Sequence, residues 1–200
     1  MASINWFAAA KLGHYFIEEV LRPGDAALDG TMGNGHDTLA LARLVGPGGK
    51  VTAFDIQSQA LENTQTRLNA AGVWDDRIRL VLDGHQHIKK YVTSPIRAAI
   101  FNLGYLPGGD HGMITRTETT LQALEQALDL LVPGGRLVVV VYPGHCGGDQ
   151  EKEAVEQKMS GLAAQQFRVI KVNLLNRPAT APGVIMIEKA VAKREGTAPE

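Results

Sequence analysis

A glycine-rich turn within residues 26–38 constrains this chain more than any other stretch. The short apolar run Ala26–Leu28 leads into a turn that carries Gly30, Gly33 and Gly35, and a helical pattern begins directly afterwards. Glycines in such a turn allow backbone angles that other residues avoid, and they let a ligand approach the main chain closely. The helix that follows points unpaired N–H groups at whatever lies over the turn. The pattern predicts a nucleotide-type cofactor site at the end of the first strand of an α/β sheet.

A carboxylate at the end of the second buried strand strengthens this prediction. The apolar stretch Val51–Phe54 runs into Asp55, at the distance from the turn where an acidic residue holds a pair of ribose hydroxyls. A glycine turn alone can be purely structural, and an acidic residue at a strand end is common. The two together favour a cofactor site.

The composition is that of an ordinary globular domain. Hydrophobic residues make up 44% and charged residues 20% of 200 residues, so we predict a single domain over residues 1–190 and a frayed tail over 191–200. No apolar run approaches the roughly 20 residues that span a bilayer, which predicts no membrane segment. The single cysteine, Cys146, excludes an internal disulfide and predicts a cytoplasmic location. A net charge of −1 gives no electrostatic argument for a nucleic-acid partner.

Strand and helix patterns alternate along most of the chain, which predicts an α/β fold with helices on both faces of a mostly parallel sheet. The predicted strands are Ala26–Leu28, Lys50–Phe54, Ile78–Leu82, Ala98–Leu103, Arg136–Tyr142, Phe167–Leu174 and Val184–Glu188. The predicted helices are Trp6–Leu21, His36–Val45, Ser58–Ala71 (with Ser58 as its cap), Thr117–Leu131 and Gly148–Ala164.

The last two strands decide which variant of the nucleotide-binding fold is expected. No helical pattern fits between them, so they should pair antiparallel. A seven-stranded sheet with one antiparallel strand at its C-terminal end is the class I methyltransferase (Rossmann-like) arrangement, whereas a hydride-transferring enzyme would normally continue in parallel. Ligands of such sheets bind outside the carboxyl ends of the strands, where this chain places its polar and glycine-rich segments.

For S-adenosylmethionine as the cofactor, the strand ends suggest a division of roles. The glycine turn would take the methionine end, Asp55 would accept from the ribose hydroxyls, and Ile56 would flank the adenine. Asp83 would accept from the adenine amino group. Asn102, in the fourth strand, would lie nearest the sulfonium, where its amide oxygen could orient an attacking amine.

An attacking alkylamine must first lose its proton, because a free one is mostly protonated at neutral pH. The candidate proton acceptors are Asp29, His85, Tyr105 and His145, and the sequence does not rank them.

Other functions for the same polar residues carry less weight. The segment Asp83–His87 offers two histidines and an aspartate without a nearby fourth ligand, so we predict no metal. Cys146 lies beyond the fifth strand and not beside the Asn102 segment, which argues against a nucleophilic cysteine. Gly108 and Gly109 are either simply flexible or part of a loop that covers the substrate. His14, on an apolar helix, is expected to be a packed histidine.

Five segments of the chain resemble a known family, the small bacterial YtqB/MnmM-like methylases first labelled as rRNA methylases. The resemblance extends from about His14 to Lys189, and the segment that follows Phe101 is its most specific part. The segments are Asp29–Thr38, Phe54–Gln57, Asp83–His87, Phe101–Asp110 and Tyr142–Gly148.

The resemblance implies a class I S-adenosylmethionine-dependent enzyme that methylates the exocyclic amine of 5-aminomethyl-(2-thio)uridine at tRNA position 34. The implied cofactor-binding residues are Asp29, Gly33, Asn34, Gly35, Asp37, Thr38, Asp55, Ile56, Gln57, Asp83, Gly84, His85 and Asn102. The implied catalytic and substrate-side residues are Asn102, Tyr105, Gly108, Gly109, Asp110, Tyr142 and His145. The tRNA partner is therefore implied by resemblance and not by charge.

Two positions depart from the family pattern: Cys146 stands where an acidic residue is usual, and Pro143 stands where a histidine is frequent. We therefore expect the substrate-side loop to differ from that of the family. Three alternatives stay open: a methylase of another RNA nitrogen such as ribosomal cytosine N4, an NAD-dependent oxidoreductase, and a non-catalytic S-adenosylmethionine-binding module. The sequence leaves the oligomeric state open, with a homodimer as one option.

Overall fold

A computed structural model describes residues 9–104, 108, 114–143, 147–178 and 180–191 of the chain. Its centre is a single seven-stranded sheet. The strands are β1 (Ala26–Asp29), β2 (Lys50–Asp55), β3 (Ile78–Leu82), β4 (Ile96–Leu103), β5 (Leu131–Val141), β6 (Phe167–Val172) and β7 (Gly183–Lys189). The helices are α1 (Ala9–Glu18), α2 (His36–Val45), α3 (Ser58–Ala70), α4 (Ile88–Tyr91), α5 (Thr117–Leu130) and α6 (Gly148–Ser160), with a 3₁₀ turn at His85–His87.

The strands lie in the order β3-β2-β1-β4-β5-β7-β6. Strands β1 to β5 pair in parallel, while β7 pairs antiparallel with β5 on one side and with β6 on the other. The predicted fold, including the antiparallel last strand, is therefore confirmed. The order reverses direction between β1 and β4, so the switch point of the sheet falls beside the glycine turn.

Each face of the sheet packs against its own set of helices. On one face α1, α2 and α3 contribute apolar side chains such as Ile17, Leu41 and Leu68 to a core with alternate strand residues. On the other face α4, α5 and α6 contribute side chains such as Ile88, Leu124 and Val155. The central strands are buried on both sides, as expected of a parallel sheet covered by helices on both faces.

Apart from shifts of up to four residues at the ends of other elements, two details of the sequence-based assignment are wrong. Strand β5 begins at Leu131 and not at Arg136, because the predicted turn at residues 133–135 is an irregularity inside the strand. Pairing with β4 passes from Ile96–Leu131 directly to Ala98–Arg136, and the intervening residues bulge out of the ladder. The cap residue of α3 is Gln57 and not Ser58, and its side chain makes no capping hydrogen bond.

The predicted domain over residues 1–190 stays a prediction, and most of the predicted frayed tail, residues 192–200, lies outside the described residues. In the described part of the chain, no helix is long and apolar enough to cross a membrane.

A tight contact between β1 and β4 gives a stability prediction. A Cβ added at Gly30 would lie 2.0 Å from the ring of Phe101, which is fully buried. We expect Gly30→Ala to lower the free energy of unfolding by about 2–3 kcal/mol or more, because a packed core cannot absorb that overlap. Gly48→Ala is the control, since the nearest atom to its added Cβ is 3.7 Å away. Urea unfolding of both variants measures the difference, and equal stabilities would contradict the close approach.

Candidate functional site

A cavity of about 880 Å³ lies along the carboxyl ends of β1 to β5. The glycine turn forms one wall, and the segments that follow β2, β3 and β4 form others. The predicted site residues that line it are Gly33, Asn34, Asp37, Asp55, Ile56, Gln57, Asp83, Gly84, His85, Asn102 and Tyr142. Five strand ends, separated by long stretches of sequence, thus contribute to one cavity, as the sequence suggested.

The remaining predicted residues do not line the described cavity. Asp29, Gly35, Thr38 and Gly108 are described but are not part of the wall. The other predicted catalytic and substrate-side residues, Tyr105, Gly109, Asp110 and His145, lie outside the described residues, as does Cys146.

The carboxylate of Asp29 holds the glycine turn together from beneath. It is fully buried, and its two oxygens accept hydrogen bonds from the backbone N–H of Thr31 (3.1 Å) and the hydroxyl of Thr38 (2.6 Å). Burial, with the nearby charge of Asp37, raises the pKa of Asp29 to about 7. Because the side chain is closed off from the cavity, the geometry does not support the predicted role of Asp29 as a proton acceptor for a bound amine, and we assign it a structural role.

The backbone of the turn is shaped by its contacts with α3 and β2. Gly35 has a φ of 75°, and a Cβ there would lie 2.7 Å from the hydroxyl oxygen of Thr64. The N–H of Gly33 donates to Asp55 (3.0 Å), and the side chain of Arg67 donates to the carbonyl of Asn34 (2.6 Å). Glycine at position 35 is therefore required both by the backbone angle and by the close approach of α3.

The carboxylate of Asp55 lies on the cavity wall and can accept further hydrogen bonds. Its two oxygens each accept one backbone hydrogen bond, from Gly33 and from Gln57 (3.0 Å each), and each keeps a second lone pair. Burial raises the pKa of Asp55, against the effect of these backbone donors. Beside it, Ile56 is 59% exposed on the cavity wall. A carboxylate next to an exposed apolar side chain suits a ligand in which a group with hydroxyls is joined to a flat ring.

Asp83 is more heavily engaged than the sequence suggested. One oxygen accepts from the N–H of Gly84 (2.8 Å) and from His87 Nδ1 (2.9 Å), and the other accepts from the hydroxyl of Tyr91 (2.8 Å). The hydrogen bond from His87 is the main reason that the pKa of Asp83 falls to about 2. Asp83 therefore has little acceptor capacity left for the predicted hydrogen bond from an adenine amino group. Its main contacts connect the end of β3 to α4.

The two histidines after β3 are directed to different partners. His87 bonds to Asp83, whereas Nδ1 of His85 lies 3.1 Å from the carbonyl oxygen of Gly30. A carbonyl can only accept, so Nδ1 of His85 carries the proton, and burial lowers the pKa of this imidazole. The Nε2 of His85 is then an unprotonated acceptor on a cavity-lining residue. Among the described residues, no group of three or more metal-ligating side chains could hold a metal ion.

The side chain of Asn102 is fixed at the end of β4. Its backbone N–H donates to the hydroxyl of Thr31 (2.6 Å), and its side-chain Nδ2 donates to Asp37. The other oxygen of Asp37 bonds to Nε2 of His14 on α1. Because a carboxylate accepts from the amide NH₂, the orientation of the Asn102 amide is set, and its oxygen is the end left for a ligand.

Tyr142 lines the cavity after the end of β5. Its ring is partly exposed, and both burial and the negative charge of Asp37 raise the pKa of its hydroxyl. The tyrosine hydroxyl therefore stays protonated near neutral pH.

Sequence reasoning missed a set of hydrogen bonds that joins the end of β4 to helices α5 and α6. The N–H of Gly104 donates to the hydroxyl of Thr115 (3.0 Å), and Thr115 N–H donates back to the carbonyl of Gly104 (2.9 Å). The hydroxyls of Thr115 and Thr120 both donate to the buried carboxylate of Glu151 on α6 (2.6 Å each). These contacts join residues 11 to 36 positions apart, and no local sequence pattern indicates them.

Comparison with known proteins gives a consistent family. The family described as "Putative rRNA methylase" matches residues 51–188. A "tRNA (mnm(5)s(2)U34)-methyltransferase, chloroplastic" from Arabidopsis thaliana is 40% identical over 190 residues, which cover 90% of this chain and 69% of that protein.

Two solved structures agree with that family over most of their length. A "putative rRNA-methylase" from Clostridium thermocellum has a TM-score of 0.88 and 43% identity, covering 90% of this chain and 97% of that one. A "putative methyltransferase" from Streptococcus mutans, solved in complex with SAH, has a TM-score of 0.82 and 45% identity, covering 91% of this chain and 98% of that one.

The buried Asp29 gives a pH-dependent stability prediction. Since its pKa rises from 3.8 to about 7 on folding, the native protein keeps a proton that the unfolded chain releases between those values. The contribution of Asp29 to stability is therefore lost as pH rises from about 4 to about 7. We expect the free energy of unfolding of Asp29→Asn to fall less steeply than that of the wild type over this range. Urea unfolding at several pH values measures both slopes, and parallel curves would contradict the buried, raised pKa.

Proposed function

Since the chain belongs to the "Putative rRNA methylase" family, we propose that it methylates the exocyclic amine of 5-aminomethyl-(2-thio)uridine at the wobble position 34 of tRNA. The chain is an S-adenosylmethionine-dependent methyltransferase of class I fold. This sets aside the NAD-dependent oxidoreductase and the non-catalytic binding module as alternatives. The choice of acceptor is carried by one observation, the 40% identity with the chloroplastic enzyme over 90% of this chain.

The residues on the cavity wall fit this cofactor. Asp55 has free acceptor capacity beside the exposed Ile56, which suits a ribose next to an adenine ring. The turn around Gly33 and Asn34 lies on the same wall and would take the methionine end. When bound, the cofactor supplies a methyl group on a positively charged sulfur that is already a good leaving group. The protein is then left with the tasks of binding, orientation and proton removal.

Asn102 is the residue that we propose orients the acceptor amine. Its amide oxygen can accept a hydrogen bond from the amine, and this aims the nitrogen lone pair toward the reacting centre. Asp37 and Thr31 hold the residue in place, so little freedom is lost when the acceptor binds. Catalysis by such a site is mainly positioning.

The amine must also give up a proton, and three of the predicted acceptors remain. His85 lines the cavity, with Nδ1 committed to Gly30 and the imidazole kept neutral by burial. Tyr105 and His145, which lie outside the described residues, stay predictions.

A cation on the cavity wall supports an RNA acceptor. Arg116 lines the cavity beside Thr115. Within the described part of the chain its guanidinium makes no ion pair or hydrogen bond, whereas Arg77, Arg97, Arg136 and Arg168 are all paired with carboxylates. An unpaired arginine at this position suits a phosphate of the RNA backbone.

A methylase of a ribosomal RNA nitrogen is the second candidate, because the description of the family names rRNA. The cytoplasmic location expected from the single cysteine, and the homodimer, remain predictions.

The proposed acceptor can be tested by nucleoside analysis. Purified protein is incubated with S-adenosylmethionine and tRNA that carries 5-aminomethyl-2-thiouridine, and the digested nucleosides are examined by mass spectrometry. The proposal expects the wobble nucleoside alone to gain the mass of one methylene group. Parallel reactions use tRNA without the aminomethyl group, and ribosomal RNA. A gain only in ribosomal RNA would overturn the tRNA proposal in favour of the second candidate.

The cofactor placement gives a mutational prediction. We expect Asp55→Ala to weaken binding of S-adenosylhomocysteine by about 2–3 kcal/mol, because charge-assisted hydrogen bonds to the ribose are lost. Asp75→Ala is the control, since Asp75 precedes β3 at the opposite edge of the sheet and pairs with Arg77. Isothermal titration calorimetry measures both. Unchanged affinity in Asp55→Ala would refute this placement.

The acceptor-side role of Asn102 gives a second mutational prediction. We expect Asn102→Ala to lower kcat by on the order of 100-fold, because the amine is no longer aimed. Affinity for S-adenosylhomocysteine should stay nearly unchanged. Asn69→Ala, at an exposed position on α3, is the control. Steady-state kinetics and calorimetry separate the two effects, and loss of cofactor binding would show that the division of the site is wrong.

A further inference from the structure

We propose that His14 is a positioning residue for methyl transfer, which acts by holding Asp37 so that Asp37 fixes the amide of Asn102. This inference rests on the proposed function of Asn102. The expectation from the sequence that His14 is simply a packed histidine is replaced by a specific contact on α1.

The contacts form a continuous chain from α1 to the end of β4. Asp37 divides its two oxygens, one to Nε2 of His14 and the other to Nδ2 of Asn102. Asp37 lies on the cavity wall, yet its side chain is only 12% exposed, so water can contribute little to its solvation. Ala10, one helical turn before His14, also lines the cavity. Helix α1 therefore packs directly against the acceptor side.

Hydrogen bonding gives His14 a role that an apolar packing residue could not fill. Asp37 lies close enough to the buried Asp29 for the charge of one to raise the pKa of the other. The hydrogen bond to Asp37 raises the pKa of His14, with smaller contributions from Glu18 and Asp29, and burial opposes them. Burial lowers the pKa of the nearby His36, and the charge of His14 adds to this effect. An N–H at Nε2 of His14 thus satisfies one oxygen of Asp37 in a poorly solvated place.

The hydrogen bonds of Asp37 decide which end of the Asn102 amide faces the acceptor. A carboxylate can only accept, so it binds the NH₂ and leaves the amide oxygen for the amine. A protonated Asp37 could instead donate to that oxygen, and the amide would then turn its NH₂ toward the acceptor. An NH₂ group cannot accept a hydrogen bond from the attacking amine. By bonding to one oxygen of Asp37 through Nε2, His14 favours the arrangement in which the other oxygen accepts from the NH₂ of Asn102.

The test compares His14→Leu, which removes the donor, with His14→Gln, which keeps an N–H near the position of Nε2. We expect His14→Leu to lower kcat about tenfold or more, with little change in affinity for S-adenosylhomocysteine, and His14→Gln to restore most of the rate. In the double variant with Asn102→Ala, the loss of His14 should cost almost nothing further, because both changes remove the same function.

The control is Glu19→Gln, which removes a different anchor of the α1 segment, the ion pair with Arg136 on β5. It should leave kcat near the wild-type value. Equal losses in Glu19→Gln and His14→Leu would show that only the docking of α1 matters. Additive losses with Asn102→Ala, or no loss at all in His14→Leu, would also overturn the proposal.

A measurement without cofactor or acceptor separates this inference from the proposed function. The side-chain amide resonances of Asn102, observed by NMR in the free protein, should shift in His14→Leu and stay close to wild type in Glu19→Gln. Unshifted resonances would overturn the inference whatever the acceptor is. If the wild type fails to methylate the aminomethyl tRNA, the proposed acceptor is wrong, and the kinetic comparison is made with the RNA that the enzyme does methylate.

Discussion

Two buried carboxylates at the end of β1 and the start of α2 underlie the whole site. Asp29 faces inward and holds the glycine turn through Thr31 and Thr38. Asp37 faces the cavity and joins His14 to Asn102. Two negative charges in a poorly solvated place repel each other. Burial and this repulsion raise the pKa of Asp29, and His14 forms a hydrogen bond with Asp37. The same pair of carboxylates therefore determines both the shape of the glycine turn and the orientation of the Asn102 amide.

The parallel sheet places these carboxylates beside the cavity. Strands β1, β2 and β4 end at the same edge, which places Asp55 on one side of the turn and Asn102 on the other. Asp55 retains acceptor capacity toward the cavity, while Asn102 presents only its amide oxygen. In our account the first residue serves the cofactor and the second serves the acceptor. Neither needs to react covalently, since the work of this site is to orient groups that already have the required reactivity.

The sequence was sufficient to predict the elements that follow local rules. Alternation of apolar runs and glycine turns located the strands, and the absence of a helix between β6 and β7 predicted their antiparallel pairing, which the structure confirms. The position of Asp55 and Asn102 on one cavity followed from the topology of the sheet. The bulge inside β5 was missed because its proline and two glycines resemble an ordinary turn.

What the sequence could not give are the contacts between distant side chains. His14 lies 23 positions before Asp37, and Thr115 lies 36 positions before Glu151. Neither pair follows a helical or strand period. The saturation of Asp83 by His87 and Tyr91 depends on a 3₁₀ turn whose geometry no local pattern specifies. A strand-end carboxylate therefore indicates where a site lies, while its remaining hydrogen-bonding capacity is known only from the fold.

A crystal structure of the protein with S-adenosylhomocysteine would test the central claim most directly. Our account predicts the ribose hydroxyls on Asp55, the adenine against Ile56, and the sulfur facing the side of the cavity where Asp37 holds the amide of Asn102. A cofactor bound with its sulfur remote from Asn102, or with its ribose away from Asp55, would contradict the division of this cavity into a cofactor side and an acceptor side.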